Sequence, residues 1–345
     1  MKKLRLFILI IPILILPVSA TEFTAPIVPD SGVEYMPRTD SFGPGLQDLF
    51  NQMLPQLRPD LAEAAQVGMA LIGISILVGL ICTMSDSLAC VNEFAGAAAI
   101  SIALLGSTNS LIRLASNTIL EISEYGKLLL PVMTGAFAAQ GCVTASAALY
   151  AGTAVFASFL GKLISGLFLP MVYFYLALSA SYGALGEDSL KRIRDMLKNT
   201  VSWCLKIILT IFITYMSITG VVSGTTDAAA LKAAKVSFST FVPVVGSILS
   251  DASEAVLVSA GLAKNAAGVY GILAMLAIFL RPFLKIGIHY LVLKLTAIIV
   301  TLVGTKRTAE LILDFSGAMG LLLGMTGSMC LLQLISTVCF MKGLG

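Results

Sequence analysis

The sequence predicts an all-α, polytopic transmembrane helical bundle behind a cleavable signal peptide and a short extracytoplasmic segment. Three observations predict it. Of 345 residues, 57% are hydrophobic and only 12% charged, where a soluble domain carries about a quarter charged. Mean hydropathy is +0.95. The apolar residues come in long runs, and a membrane-spanning helix needs about 20 of them in a row.

Residues 1–20 have the order of a bacterial signal peptide. Lys2, Lys3 and Arg5 form the charged start, Leu6 to Leu16 the apolar core, and Val18-Ser19-Ala20 the small residues before a cut, giving Thr21 as the mature start. The alternative is an uncleaved first transmembrane helix. Either way Thr21 lies outside the cytoplasm.

Residues 21–66 form a polar extracytoplasmic segment. Pro26, Pro29, Pro37, Pro44, Pro55 and Pro59 fall here, and acids outnumber Arg38 and Arg58. The first part reads as an irregular linker. From Leu46 onward, Leu46, Leu49, Phe50, Met53 and Leu57 share one helical face. That pattern predicts a short amphipathic helix, lying on the outer membrane surface or a partner, or covering the protein's own bundle.

Residues 67–345 form the multi-pass domain. Apolar runs lie at 67–84, 94–112, 128–160, 163–184, 201–222, 236–259, 267–283, 286–304 and 315–340. They correspond to about eight to ten membrane segments, some short or re-entrant. The run 128–160 is too long for one crossing and breaks near Gln140-Gly141, which predicts a hairpin of two short helices. Residues 186–200 hold Lys191, Arg192, Arg194 and Lys198, with Leu190, Ile193 and Leu197 at helical spacing. This basic amphipathic connector belongs on the cytoplasmic side. Counting crossings from an outer Thr21 places it there only if 128–160 turns back. Lys306 and Arg307 then fall inside and Lys342 outside, provided that 236–259 crosses. That segment is the least apolar, with Pro243, Gly246, Asp251 and Glu254.

The chain is read as no enzyme. No GxxxxGK[ST], HExxH or GxSxG occurs, and the single histidine excludes most His-based metal sites. No cofactor or metal is expected. Cys82, Cys90, Cys142, Cys204, Cys330 and Cys339 show no ligand spacing and read as small buried hydrophobes. Nucleic-acid binding is excluded by the absence of a basic patch interleaved with aromatics.

What remains is charge inside apolar runs. Arg281, Lys285 and His289 recur every four residues and make one stripe on a continuous helix. Asp251 and Glu254 share a face of the polar segment. An ionisable group in lipid is costly unless paired or facing a cavity. These five residues are therefore candidates for a polar pathway, with an acid opposite the basic stripe. The alternative is snorkelling lysines plus a structural ion pair. A second pattern is steric: Ser316, Gly320, Gly324 and Ser328 repeat every four residues and permit close helix approach. Packing within the chain and association between copies, as a homo-oligomer, both fit.

The stretch Tyr125-Gly-Lys-Leu-Leu-Leu-Pro-Val-Met-Thr134, followed by Ala-rich residues to Gly161, resembles the stage III sporulation protein AE family. So does Gly304-Thr-Lys-Arg-Thr-Ala-Glu310, leading into Asp314-Phe-Ser-Gly317. The resemblance covers about residues 45–345. It implies a protein made in the mother cell of endospore-forming bacteria, placed in the membrane surrounding the forespore and needed after engulfment. It implies a permease- or export-gate-like part of a transenvelope channel or secretion-like complex. The implied partners are a cytoplasmic ATPase, stage III sporulation protein AA, and the ring former AH, which meets stage II sporulation protein Q across the intermembrane space. No catalytic residues carry over. Two rival readings stand beside this one: a non-conducting scaffold for the complex, and an independent secondary transporter, for which no internal repeat is evident.

Overall fold

The computed structural model describes residues 26–37, 41–84, 89–241 and 246–342, without the side chains of 84, 89–90, 220–241, 246–264 and 342. The signal-peptide reading of 1–20, with Thr21, lies outside the described residues. So do the side chains of Asp251 and Glu254 and the crossing assigned to 236–259.

Every regular element among the described residues is helical. A single turn, α1 (Asp30–Val33), precedes α2 (Phe42–Met84), α3 (Ala89–Ala139), α4 (Val143–Leu163), α5 (Leu169–Leu185), α6 (Asp188–Phe241), α7 (Gly246–Val303) and α8 (Lys306–Lys342). A π-helical turn, Ile164–Phe168, joins α4 to α5 without a break in direction. It sits immediately before Pro170, which has no N–H to give to the ladder.

At the centre is α8, which packs on α3, α4, α5, α6 and α7. Its sequence explains the position. Leu311, Phe315, Ala318, Leu322, Met325, Met329 and Leu332 alternate steps of four and three, and all are buried. Residues at that spacing form one continuous seam.

Six helices among the described residues are long and apolar enough to cross a membrane. The apolar runs thus fall on fewer, longer helices than their number suggests. The runs at 94–112 and 128–139 both lie on α3, and those at 267–283 and 286–304 both lie on α7. The reason is visible on α3. Arg113, Glu124 and Lys127 interrupt its hydropathy from the exposed face, while Leu111, Ala115, Ile119 and Ile122 keep the other face buried. At 1.5 Å per residue α3 is about 77 Å long, and a hydrocarbon core about 30 Å thick cannot contain it. The exposed charges mark the part that extends beyond.

The expected break at Gln140-Gly141 is a tight turn with Gly141 at φ 87°. The arms of this hairpin are long, however: α3 on one side and the continuous α4–α5 on the other. The predicted short helix around Leu46–Leu57 is likewise the first part of α2, which runs through Pro55, Pro59 and the compositional boundary at 66–67. Its Leu49 and Met53 pack with Tyr35, Leu273 and Ala277, so this stretch covers the protein's own bundle. The basic segment 188–200 is not a separate connector but the opening turns of α6, and only Gly186 and Glu187 link it to α5.

Contacts divide the bundle into two ends. Gly79 approaches Val303, and Gly186 approaches Arg307, at what we call the connector end. Phe137 meets Phe340 with ring centroids 6.1 Å apart, and Gly268 meets Met341, at the hairpin end. The helices before residue 186 are fewer than the crossings counted from sequence, yet odd in number either way. Lys306 and Arg307 accordingly share an end with Lys191 and Arg194, and Met341 lies at the other.

Close approach of α4 and α6 depends on Gly152. A Cβ there would lie 2.0 Å from the Tyr215 ring, whose hydroxyl donates to the Ala148 carbonyl at 3.0 Å. Gly152→Ala is expected to cost about 1–3 kcal/mol through overpacking, read as a lower thermal midpoint of the purified protein.

Candidate functional site

Two groups of charged side chains hold the bundle at different levels. The first is at the connector end. Arg194 of α6 is buried and ion-pairs with Asp314 of α8, also buried. The same guanidinium donates to Asp195 at 2.8 and 3.0 Å. One turn back on both helices, Lys191 pairs with Glu310 at 3.4 Å. Tyr182 of α5 donates to Glu310 at 2.8 Å and lies under both cations. Arg307 reaches Glu93 of α3 at 2.6 Å. Gly186 makes that reach achievable: it adopts the left-handed conformation that ends α5, at φ 74°, and a Cβ on it would sit 2.4 Å from Arg307. The result is an electrostatic clamp on α3, α5, α6 and α8.

This clamp was only partly legible. In the sequence the bases read as a topology signal, and Glu310 and Asp314 do not stand out as their partners. The available signal was spacing: acids four apart on one helix, and Lys191 and Arg194 three apart on another, each pair on one face.

The second group contains the predicted stripe. Helix α7 runs unbroken through Pro282, so Arg281, Lys285 and His289 share a face. Arg281 donates to the Tyr35 hydroxyl at 2.6 Å. Lys285 pairs with Glu63 at 2.7 Å and Asp60 at 3.4 Å, both on α2. His289 is buried, and its Nδ1 lies 3.0 Å from the Lys285 carbonyl. If Nδ1 carries the proton, Nε2 is an acceptor. That atom has no hydrogen-bond partner among the described residues. His289 lines a crevice with Ser107 and Thr108 of α3 that is too tight for a water molecule. Among the described residues the acids opposite the stripe are Asp60 and Glu63, from the stretch whose composition reads as a polar head.

From Val303, Met84 and Leu185 at the connector end to Lys285, Glu63 and Lys162, the helices advance about 27 to 35 Å at 1.5 Å per residue, close to the thickness of a hydrocarbon core, and the buried Arg194–Asp314 pair lies within that span. Ile102, Leu105, Leu295, Ile298 and Leu302 expose apolar surface along it. Lys294 is also exposed within that span, with Nζ 3.3 Å from the Tyr290 hydroxyl, as is Lys198 beside Gly317.

The small-residue stripe of α8 is divided. Ser316 is buried and donates to the Tyr290 carbonyl at 3.0 Å, and Gly320 faces the same ring. Ser328 is buried against its own helix, bonding the Gly324 carbonyl, while Gly324 itself is exposed.

Six long apolar helices packed side by side among the described residues define a multi-pass helical membrane protein. The family model for stage III sporulation protein AE matches residues 38–343, and the chain belongs to that family. A stage III sporulation protein AE of Bacillus subtilis (strain 168) is 25% identical over 203 residues, covering 59% of this chain and 51% of that protein. The chain's match thus spans about half the length of this curated relative. No solved structure matches. The protein is therefore a sporulation membrane protein of the stage III set.

Proposed function

We propose that this chain is a permease- or export-gate-like subunit of the sporulation transenvelope channel, needed for forespore development after engulfment. The observation that carries this reading is the charged stripe of α7 inside the bundle. Ionisable groups kept among apolar helices are costly and mark pathways. The side chains in the path are Arg281, Lys285 and His289, opposed by Asp60 and Glu63, and the reading extends to Asp251 and Glu254, whose positions in the chain fall near the start of α7.

The subunit performs no catalysis and binds no cofactor. Its energy comes from the cytoplasmic ATPase, stage III sporulation protein AA, and exposed Arg192 and Lys198 on α6 offer that partner a basic surface. On the far side stands the ring former AH with stage II sporulation protein Q. The protein sits in the mother-cell membrane around the forespore.

One observation favours a scaffold instead. Lys285 and Arg281 already have partners within the chain, as expected of groups that brace rather than conduct. Gene deletion in the host tests the assignment common to both readings. Forespores should stall after engulfment, and a tagged copy that restores them should concentrate in the engulfing membrane. Normal spores from the deletion strain would refute both.

A further inference from the structure

Gln333 of α8 is only 1% exposed, and its amide nitrogen has no hydrogen-bond partner among the described residues. The side chain is seated against the bare backbone of Gly126, where a Cβ would stand 2.2 Å from that nitrogen. It borders a cavity of about 60 Å³ between α3, α4 and α8. Lys127, Tyr150 and Ser158 line the same cavity and are exposed at its outer side.

The chemistry of this wall is one-sided. The lysine brings a positive charge, the amide two N–H groups, and the hydroxyls one donor each. No carboxylate lines the cavity among the described residues. Charge-assisted donors converging on one space suit an oxyanion. At about 30 Å³ per water, the volume holds a group the size of two waters, not a whole metabolite. The occupant is therefore one end of a larger molecule or a small ion.

Depth selects between them. From Lys306 to Gln333 and from Leu185 to Ser158 the helices advance about 40 Å. That is about 6 Å beyond Lys162 and about 13 Å beyond Lys285, further from the connector end than a hydrocarbon core about 30 Å thick, where headgroups rather than tails lie.

We propose that this cavity binds the phosphodiester of a membrane phospholipid from the leaflet nearer the hairpin end. Lys127 and the Gln333 amide hold the phosphate oxygens, and Tyr150 and Ser158 close the site from the lipid side. The lipid ties α3, α4 and α8 together.

The test uses the full-length protein in dodecyl maltoside, with thermal stability followed against three additives. These are dihexanoyl phosphatidylglycerol, dihexanoyl glycerol without the phosphate, and inorganic phosphate. Only the phospholipid should raise the midpoint. Lys127→Gln with Tyr150→Phe, both exposed positions, should weaken its apparent affinity about tenfold, as loss of a charged hydrogen bond does. Gln333→Leu should abolish the shift. Should that variant fail to fold, the Lys127→Gln, Tyr150→Phe protein decides alone. An unchanged lipid response in it overturns the site, as does no response in the wild type. Equal protection by inorganic phosphate overturns the lipid assignment.

Discussion

Asp314→Ala is expected to destabilise the bundle by about 3–5 kcal/mol, because it leaves the buried Arg194 guanidinium without its opposite charge. Asp195 does not replace it: its side chain is half exposed and on the same helix as Arg194. The Tyr175 hydroxyl, 3.5 Å from Asp314, loses its contact as well. The expected readout is a lower thermal midpoint in detergent and reduced accumulation in membranes. Arg194→Met together with Asp314→Leu should recover most of the loss, since a buried ion pair is often replaceable by apolar residues of similar size. If the single substitution has the stability of wild type, the clamp does not hold α6 to α8.

Lys285→Met should have an effect of similar size, again about 3–5 kcal/mol. It strands Asp60, whose side chain is 7% exposed. Glu63 is half exposed and rehydrates, so Asp60 accounts for most of the cost. Neutralising all three with Asp60→Asn, Glu63→Gln and Lys285→Met should restore stability while removing the charge. A triple variant no more stable than Lys285→Met would mean that the lysine contributes through its packing, not its pairing.

Much of this architecture is legible in the sequence. Hydropathy alone identifies the class. The positive-inside rule puts Lys191, Arg192 and Arg194 at one end, and the count agrees although five crossings are expected where three long helices precede residue 186, because two missed junctions leave the parity unchanged. For Lys306 and Arg307 the count depends on 236–259 crossing, and the structure brings them to that end with 267–303 on the single helix α7. The hairpin at Gly141 follows from a run too long to cross once. What hydropathy cannot register is that a charge on an exposed helical face interrupts a window without interrupting the helix. Arg113 and Lys127 separate two apolar runs on α3, and the change of composition at 66–67 separates a polar segment from an apolar run on α2, where the backbone is continuous in both.

The site was half legible for a related reason. Arg281, Lys285 and His289 recur within one helix, so spacing reveals them. Their partners Asp60 and Glu63 are more than two hundred residues away in sequence, in a stretch whose prolines and acids resemble a linker. Asp314 and Gln333 are polar residues scattered along the most buried of the candidate membrane spans. Each acquires meaning only from what lies across the interface, Arg194 in one case and a donor-lined cavity in the other.

The most direct test of the proposed pathway separates charge from stability. The host gene is replaced by the Asp60→Asn, Glu63→Gln, Lys285→Met variant, and membrane levels and heat-resistant spores are counted in the same cultures. The account predicts protein at the wild-type level with forespores that stall after engulfment. Wild-type sporulation at normal protein level would contradict it and leave the stripe a structural brace.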